Sequence, residues 1–180
     1  MKDRFANMDC FVLAGGERNP HRDFEVEGEL TRLERGYRRY AALFERVTLV
    51  LKREQAVERY LNYPHVCDEV ADRDPVIGVR TALEQAESDP VFIGSSEIGD
   101  FPLELAVELV KNYNGELFLG YGEESDGGQQ QPLFGVFSKR LIKRLSAIKG
   151  DLGALRKLLD AEGRFLPLPD EASAQSLGLV

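Results

Sequence analysis

Two glycines directly after a short apolar run form the first candidate ligand site in this sequence. In open parallel sheets, ligands bind outside the carboxyl ends of the strands, so the turns that follow apolar runs are the places to inspect. This turn contains Leu13, Ala14, Gly15 and Gly16, followed by Arg18. Glycines let main-chain amides approach a phosphate or a base edge, and the arginine could add a positive charge. Two glycines are also typical of a tight strand-to-helix turn, so both interpretations stay open.

Carboxylates follow two later apolar runs. Asp68 comes directly after the run at 65–67 and is the candidate for ligand contact there, whereas Asp74, ahead of a proline, fits a helix cap equally well. Glu97 and Asp100 follow the run at 91–94. Mg²⁺ prefers hard oxygen ligands and usually takes one or two carboxylates plus substrate phosphates, so we expect these two residues to bind it. Capping of the next helix by Ser96 or Asp100 is the alternative.

Alternating apolar runs and amphipathic stretches predict the elements that position these turns. Strands are expected at 11–14, 47–51, 65–67, 91–94, 116–121 and 133–137, and helices at 30–44, 54–61, 78–86, 103–112, 139–148 and 151–161. This order implies right-handed parallel crossovers and a three-layer α/β sandwich. We expect one domain over 1–169, a mobile polar loop over 123–131 and a loosely docked C-terminal tail over 170–180.

The composition excludes several classes of protein. The chain has 180 residues, of which 43% are hydrophobic and 30% charged, and this balance is that of an ordinary folded domain. Its formal net charge of -8 provides no global attraction for nucleic acid or an anionic membrane. We also find no signal peptide and no apolar run of ~20 residues. Cys10 and Cys67 are expected to be buried, reduced thiols, which favours a cytoplasmic protein.

Three motifs together resemble the molybdenum cofactor guanylyltransferase family over about 11–168. They are Leu-Ala-Gly-Gly at 13–16, Asp68 followed by Asp-Pro-Val-Ile-Gly at 74–78, and Gln-Pro-Leu-Phe-Gly-Val-Phe at 131–137. Many nucleotidyltransferases share the first motif. The proline-to-glycine segment ahead of a helix and the late Pro-Leu-Phe strand narrow the resemblance to this family.

The resemblance implies a Rossmann-like nucleotide-diphospho-sugar transferase fold with a mostly parallel sheet. Enzymes of this family transfer GMP from GTP to molybdopterin carrying molybdenum, with the help of Mg²⁺, and release pyrophosphate. Implied partners are GTP, molybdopterin or a related phosphate acceptor, and molybdoenzyme-maturation proteins. Glu97 falls at the position of the family's magnesium-binding aspartate. The residues implied to bind the nucleotide are Leu13, Ala14, Gly15, Gly16, Asp68 and Gly78.

The first loop departs from the family's pattern, because no lysine occurs between Lys2 and Lys52. We expect Arg18 and Arg22 to bind the phosphates and to act in catalysis instead, although arginine and lysine differ in shape and hydration. Losing one donor of this kind typically lowers the rate by ~10²–10³-fold. Three functions therefore remain open: a divergent guanylyltransferase, a non-catalytic adaptor that binds a cofactor precursor or a partner enzyme, and a nucleotidyltransferase with a different phosphate acceptor.

Overall fold

A seven-stranded mixed sheet forms the middle layer of the protein. The computed structural model describes residues 4–14, 24–55, 60, 62–68, 74–98, 100–122, 130–148 and 151–179. The strands within these residues are β1 (Phe5–Leu13), β2 (Val26–Glu27), β3 (Leu30–Thr31), β4 (Phe44–Lys52), β5 (His65–Asp68), β6 (Val91–Ser95), β7 (Phe118–Gly122), β8 (Gln130–Phe137) and β9 (Arg164–Leu166). The order across the large sheet is β5-β4-β1-β6-β8-β7-β9, and β2 and β3 form a separate antiparallel pair.

Most neighbouring strands in the large sheet are parallel. β5, β4, β1 and β6 run in one direction, β9 is parallel to β7, and β8 is antiparallel to both of its neighbours. The central strands β1, β4 and β6 are almost continuously buried toward their carboxyl ends. Such runs are typical of parallel strands that are covered on both faces.

Helices cover both faces of the sheet, which confirms the predicted three-layer α/β sandwich. α1, α3 and α6 contribute to one apolar core, and α2, α4 and α5 contribute to the other. None of the helices in the described part of the chain is long and apolar enough to cross a membrane. The helices are α1 (Arg32–Ala41), α2 (Pro75–Gln85), α3 (Leu103–Asn112), α4 (Ile142–Ala147), α5 (Leu152–Glu162) and α6 (Glu171–Ser176).

Side-chain caps fix the starts of α1 and α2. At α1, Thr31 and Glu34 form a reciprocal capping box: the Glu34 amide donates to Thr31 Oγ1 (3.2 Å), and the Thr31 amide donates to Glu34 Oε2 (2.7 Å). At α2, Asp74 Oδ1 accepts from the Val76 amide at 2.8 Å, with Pro75 in the first turn. Of the two interpretations of Asp74, the structure therefore supports the cap.

Several predicted boundaries shift. The helix predicted at 30–44 is shorter, because Thr31 caps it and Phe44 already begins β4. The helix predicted at 139–148 divides into a 3₁₀ turn, Lys139–Leu141, followed by α4. Most of the helix predicted at 54–61 and of the loop predicted at 123–131 lies outside the described residues. Cys10 is buried as expected, Cys67 is only half-buried, and both thiols are free.

The C-terminal segment packs into the apolar core, so the prediction of a loosely docked tail is wrong. Asp170 caps α6 by accepting a hydrogen bond from a main-chain amide in its first turn at 2.7 Å. Ala174, Leu177 and Leu179 are buried on the α1 and α3 side of the sheet. Gln131 Nε2 donates to the Leu177 carbonyl at 2.5 Å, which attaches the segment to β8.

Candidate active site

The carboxyl ends of β4, β1 and β6 lie side by side, and this edge brings together two of the predicted turns. Leu13, the last residue of β1, is in register with Val50 of β4 and Ser95 of β6. The Ala14 amide donates to the Val50 carbonyl at 3.1 Å, and the Ser96 amide donates to the Leu13 carbonyl at 2.9 Å. The chain that leaves β1 is therefore fixed between its two neighbours. The turn after β6 adjoins the start of the glycine turn, as expected for neighbouring strands.

The structure describes only the beginning of that glycine turn. Leu13 is buried and Ala14 is half-buried. Gly15, Gly16, Arg18 and Arg22 lie outside the described residues, so their roles stay predictions.

A buried ion pair lies at the ends of the next two strands. Asp68 ends β5 and is in register with Lys52, which ends β4. The distance from Lys52 Nζ to Asp68 Oδ2 is 2.6 Å, and the two residues are only 6% and 4% exposed. The Lys52 amide also donates to Gln55 Oε1 at 2.8 Å. Buried charges are tolerated when they are paired in this way, so the pair holds the Asp68 carboxylate in a fixed position at the carboxyl edge of the sheet.

Sequence reasoning missed Lys52 as a residue of this edge. It lies two residues beyond Val50, the register partner of Leu13, so it belongs to the strand beside the glycine turn. The first loop lacks a lysine, but a neighbouring strand brings one to the same edge. The available signal was a lysine directly after the strand predicted at 47–51.

Glu97 combines an exposed carboxylate with a fixed main chain. Its amide donates to Ser95 Oγ at 3.2 Å, and its carbonyl accepts from Arg32 Nη2 at 2.7 Å. Asp100, three residues further on, is also exposed. α3 begins after Pro102, whose side chain makes no capping hydrogen bond, so the alternative that Ser96 or Asp100 caps this helix is wrong.

Gly78 lies on α2 and faces β1. A Cβ atom built on Gly78 would lie 3.6 Å from Leu13 Cδ1, which is an ordinary van der Waals distance. This position of α2 therefore packs against the strand that leads into the glycine turn. Its position is next to the candidate site, on the side of the sheet opposite α1.

The carboxylates at this edge suit a metal that arrives with a substrate. Among the residues that the structure describes, no three His, Cys, Asp or Glu side chains cluster to hold a metal ion. Glu97 and Asp100 are nevertheless hard oxygen donors, and Mg²⁺ commonly binds one or two carboxylates and completes its shell with waters and substrate phosphates. This donor set fits Mg²⁺ carried by a nucleotide better than a metal enclosed by protein ligands.

Comparison with known proteins identifies the family to which this chain belongs. Residues 10–165 match the family model of the MobA-like NTP transferase domain, and the chain belongs to that family. A protein of Aquifex aeolicus (strain VF5) named "Probable molybdenum cofactor guanylyltransferase" is 29% identical over 171 residues, which cover 90% of this chain and 80% of that protein.

Solved structures agree on the fold. A crystal structure of an Aquifex aeolicus VF5 protein superimposes with a TM-score of 0.70 at 26% identity, covering 96% of this chain and 91% of that one. Molybdopterin-guanine dinucleotide biosynthesis protein A from Archaeoglobus fulgidus also gives a TM-score of 0.70, at 14% identity, covering 94% of this chain and 90% of that one. These likenesses confirm the expected Rossmann-like fold, and the family match over 10–165 confirms the resemblance noted from the sequence motifs.

Proposed function

We propose that this protein transfers GMP from GTP to molybdenum-bound molybdopterin, forming the guanine dinucleotide cofactor and releasing pyrophosphate. Membership in the MobA-like NTP transferase domain family and the name of the Aquifex aeolicus relative support this proposal. The structural observation that carries it is the hydrogen bond from the Ser96 amide to the Leu13 carbonyl. This bond joins the start of the glycine turn to the turn that presents the Glu97 carboxylate.

In this proposal, the glycine turn binds the nucleotide. Leu13 and Ala14 lead into the turn, and the amides of Gly15 and Gly16 approach the nucleotide closely. Arg18 and Arg22 then bind the phosphates, in place of the family's lysine. Asp68, which Lys52 holds at the same edge, lies in the nucleotide site.

The reaction breaks one phosphoanhydride bond and forms another. A phosphate oxygen of the acceptor attacks the α-phosphorus of GTP, and the bond from that phosphorus to the bridging oxygen breaks. Pyrophosphate leaves with the electron pair. Reactions of this kind depend mainly on positioning and on stabilisation of negative charge, so the chain's task is to hold both substrates in line.

Glu97 and Asp100 are proposed to hold Mg²⁺ at this edge. When bound, the ion neutralises charge on the nucleotide's phosphates. The protein contributes the position of the Glu97 main chain, from which the carboxylate extends, because the hydrogen bonds to Ser95 and Arg32 fix the residue on both sides of its Cα. Glutamate is one methylene longer than the family's aspartate, so we expect the ion to bind slightly further from the strand end.

Pyrophosphate release tests the proposed reaction. The purified protein is mixed with Mg²⁺, labelled GTP and metallated molybdopterin, and pyrophosphate is measured with and without the acceptor. We expect release that requires the acceptor and falls by about 10²-fold or more in Glu97→Gln, as for loss of an electrostatic group in a reacting site. The matched control is Glu104→Gln, an exposed glutamate on α3.

The other two functions give different results in the same assay. Tight GTP binding with no pyrophosphate under any condition would contradict transfer and indicate an adaptor. Release with CTP or with a sugar phosphate acceptor, but not with GTP and molybdopterin, would retain the enzyme class and overturn the proposed substrates.

A further inference from the structure

We infer that Arg32 is a phosphate-binding residue of this active site, a role that rests on the proposed nucleotidyl transfer. Arg32 is the first residue of α1, outside the glycine turn and outside the three motifs that carry the family resemblance. The inference follows from the packing of α1 against the turn that carries Glu97 and from the chemistry of the Arg32 side chain.

α1 packs closely along the segment 94–97. Gly36 faces this segment: a Cβ atom built on it would lie 3.8 Å from Ser96 Cα, an ordinary van der Waals distance, so the helix and the turn pack against each other here. One helical turn further on, the ring of the buried Tyr40 occupies the space next to Gly94, and a Cβ there would overlap its hydroxyl. The start of α1 is therefore fixed relative to the end of β6.

This packing places Arg32, one turn before Gly36, against the main chain of Glu97. Arg32 Nη2 donates to the Glu97 carbonyl at 2.7 Å. The Thr31 capping box fixes the residue that precedes Arg32, so the guanidinium extends from a rigid helix start. Through this bond the guanidinium contacts the turn after β6, which is itself hydrogen-bonded to the end of β1.

The guanidinium retains donors after this bond. An arginine carries five N–H donors, and the bond to Glu97 uses one of them. Within the part of the chain that the structure describes, Arg32 makes no ion pair with a carboxylate and no second hydrogen bond. The planar fork is suited to phosphate oxygens, which it can contact through two parallel hydrogen bonds.

Charge balance also favours a cation at this position. The protein has a formal net charge of -8, and Glu97 and Asp100 both expose carboxylates at the same edge. A nucleotide triphosphate would be repelled by this field unless cations compensate it. Arg32 is held beside Glu97 and supplies one such charge from α1.

Binding of a nucleotide series to Arg32→Gln tests the inference. Calorimetry with guanosine, GMP, GDP and GTP, each with Mg²⁺, separates base recognition from phosphate recognition. We expect Arg32→Gln to weaken GTP binding about 10–100-fold and to leave guanosine binding unchanged, because only the charge-assisted bonds to phosphate are lost. Arg32→Lys should recover part of the lost GTP affinity, since lysine keeps the positive charge but lacks the planar guanidinium group.

Arg38→Gln is the matched control, because Arg38 is exposed on the same helix. It should change GTP affinity less than about twofold, consistent with an exposed charge remote from a ligand. Equal GTP affinity in the Arg32→Gln and Arg38→Gln variants would overturn the inference and leave the proposed function intact. An equal loss of affinity for guanosine and for GTP in Arg32→Gln would also overturn the inference, because Arg32 would then act only on the shape of the turn. If the wild-type protein binds none of these nucleotides, the proposed function fails together with the inference.

Discussion

Lys52 Nζ lies 2.6 Å from Asp68 Oδ2, and the two residues end neighbouring parallel strands in direct register. Both side chains are almost fully buried at the edge of the sheet where ligands of this fold bind. A buried pair of this kind contributes little net stability compared with apolar residues, but removing one partner is costly. We therefore expect the main role of this pair to be the positioning of Asp68 in the candidate site, and not the stabilisation of the fold.

Removing only the ammonium should destabilise the protein strongly. Lys52→Met takes away the positive charge that faces the buried Asp68 carboxylate, and we expect a loss of about 3–5 kcal/mol in the free energy of unfolding. The double variant Lys52→Met/Asp68→Leu should recover much of that loss, since neither charge is then buried. Urea unfolding of Lys52→Met, Asp68→Leu and the double variant measures the coupling energy between the two side chains. This account of the pair would be contradicted if the double variant lost as much free energy of unfolding as the two single variants together.

Asp9 should make stability depend on pH in the acidic range. Burial acts to raise the pKa of Asp9, but hydrogen bonds from the Ser88 amide, the Arg46 side chain and the Glu87 amide outweigh it and hold the pKa below its ordinary value. A carboxylate with a lowered folded pKa stabilises the protein fully above its unfolded pKa, about 3.9, and this contribution is lost as the pH falls through the folded pKa.

The measurement compares wild type with Asp9→Asn by urea unfolding between pH 7 and pH 3. We expect wild type to be more stable than the variant at pH 7, with an advantage that shrinks as the pH falls below about 4. A constant difference between the two proteins across this range would show that Asp9 does not carry the pH dependence.

Gly94→Ala should destabilise the core, and Tyr40→Phe should relieve part of the effect. A Cβ on Gly94 would overlap the Tyr40 hydroxyl, and we expect this overpacking to cost about 1–3 kcal/mol. Among the described residues, the Tyr40 hydroxyl is buried without a hydrogen-bond partner, so its removal alone should cost less than about 1 kcal/mol. Thermal unfolding of the two single variants and the double variant tests this. A double variant no more stable than Gly94→Ala would contradict the role of the hydroxyl and assign the cost to the Tyr40 ring carbons Cζ and Cε1, which the added Cβ would also overlap.

GTP with Mg²⁺ should raise the melting temperature of the protein. At ~100 times the dissociation constant, a ligand adds about 2.7 kcal/mol, which for a chain of this size corresponds to about 5–10 °C. Glu97→Ala should lose the part of the shift that requires Mg²⁺, whereas Glu104→Ala should retain it. If the Glu97 variant keeps the full Mg²⁺-dependent shift, Glu97 is not a metal ligand.

The features set by local sequence were the predictable ones. α3 has the predicted bounds, because its apolar residues repeat at helical spacing over the whole segment. That the turns after β1 and β6 lie at one edge followed from the rule for parallel sheets, but their adjacency depends on the pairing of β1 with β6, which only the structure shows. α6 was missed because a six-residue helix contains too few apolar positions to show a period, although tertiary packing buries Ala174 within it and Leu177 and Leu179 directly after it.

The contacts that define the site depend on tertiary structure. Lys52 is buried opposite Asp68 only because β4 and β5 pair in one particular register, which no local pattern specifies. The bond from Arg32 to Glu97 uses a main-chain carbonyl, and such an acceptor is present at every residue. Sequence reasoning could therefore indicate a candidate edge of the sheet, but it could not identify Lys52 and Arg32 as cations of that edge.

A crystal structure of the protein soaked with GTP and Mg²⁺ tests the central proposal most directly. We predict electron density for the triphosphate at the carboxyl end of β1, with a phosphate oxygen within hydrogen-bond distance of the Arg32 guanidinium and the metal ion next to Glu97. Nucleotide bound at another face of the sheet, or a side chain of Glu97 turned away from the bound phosphates, would contradict it.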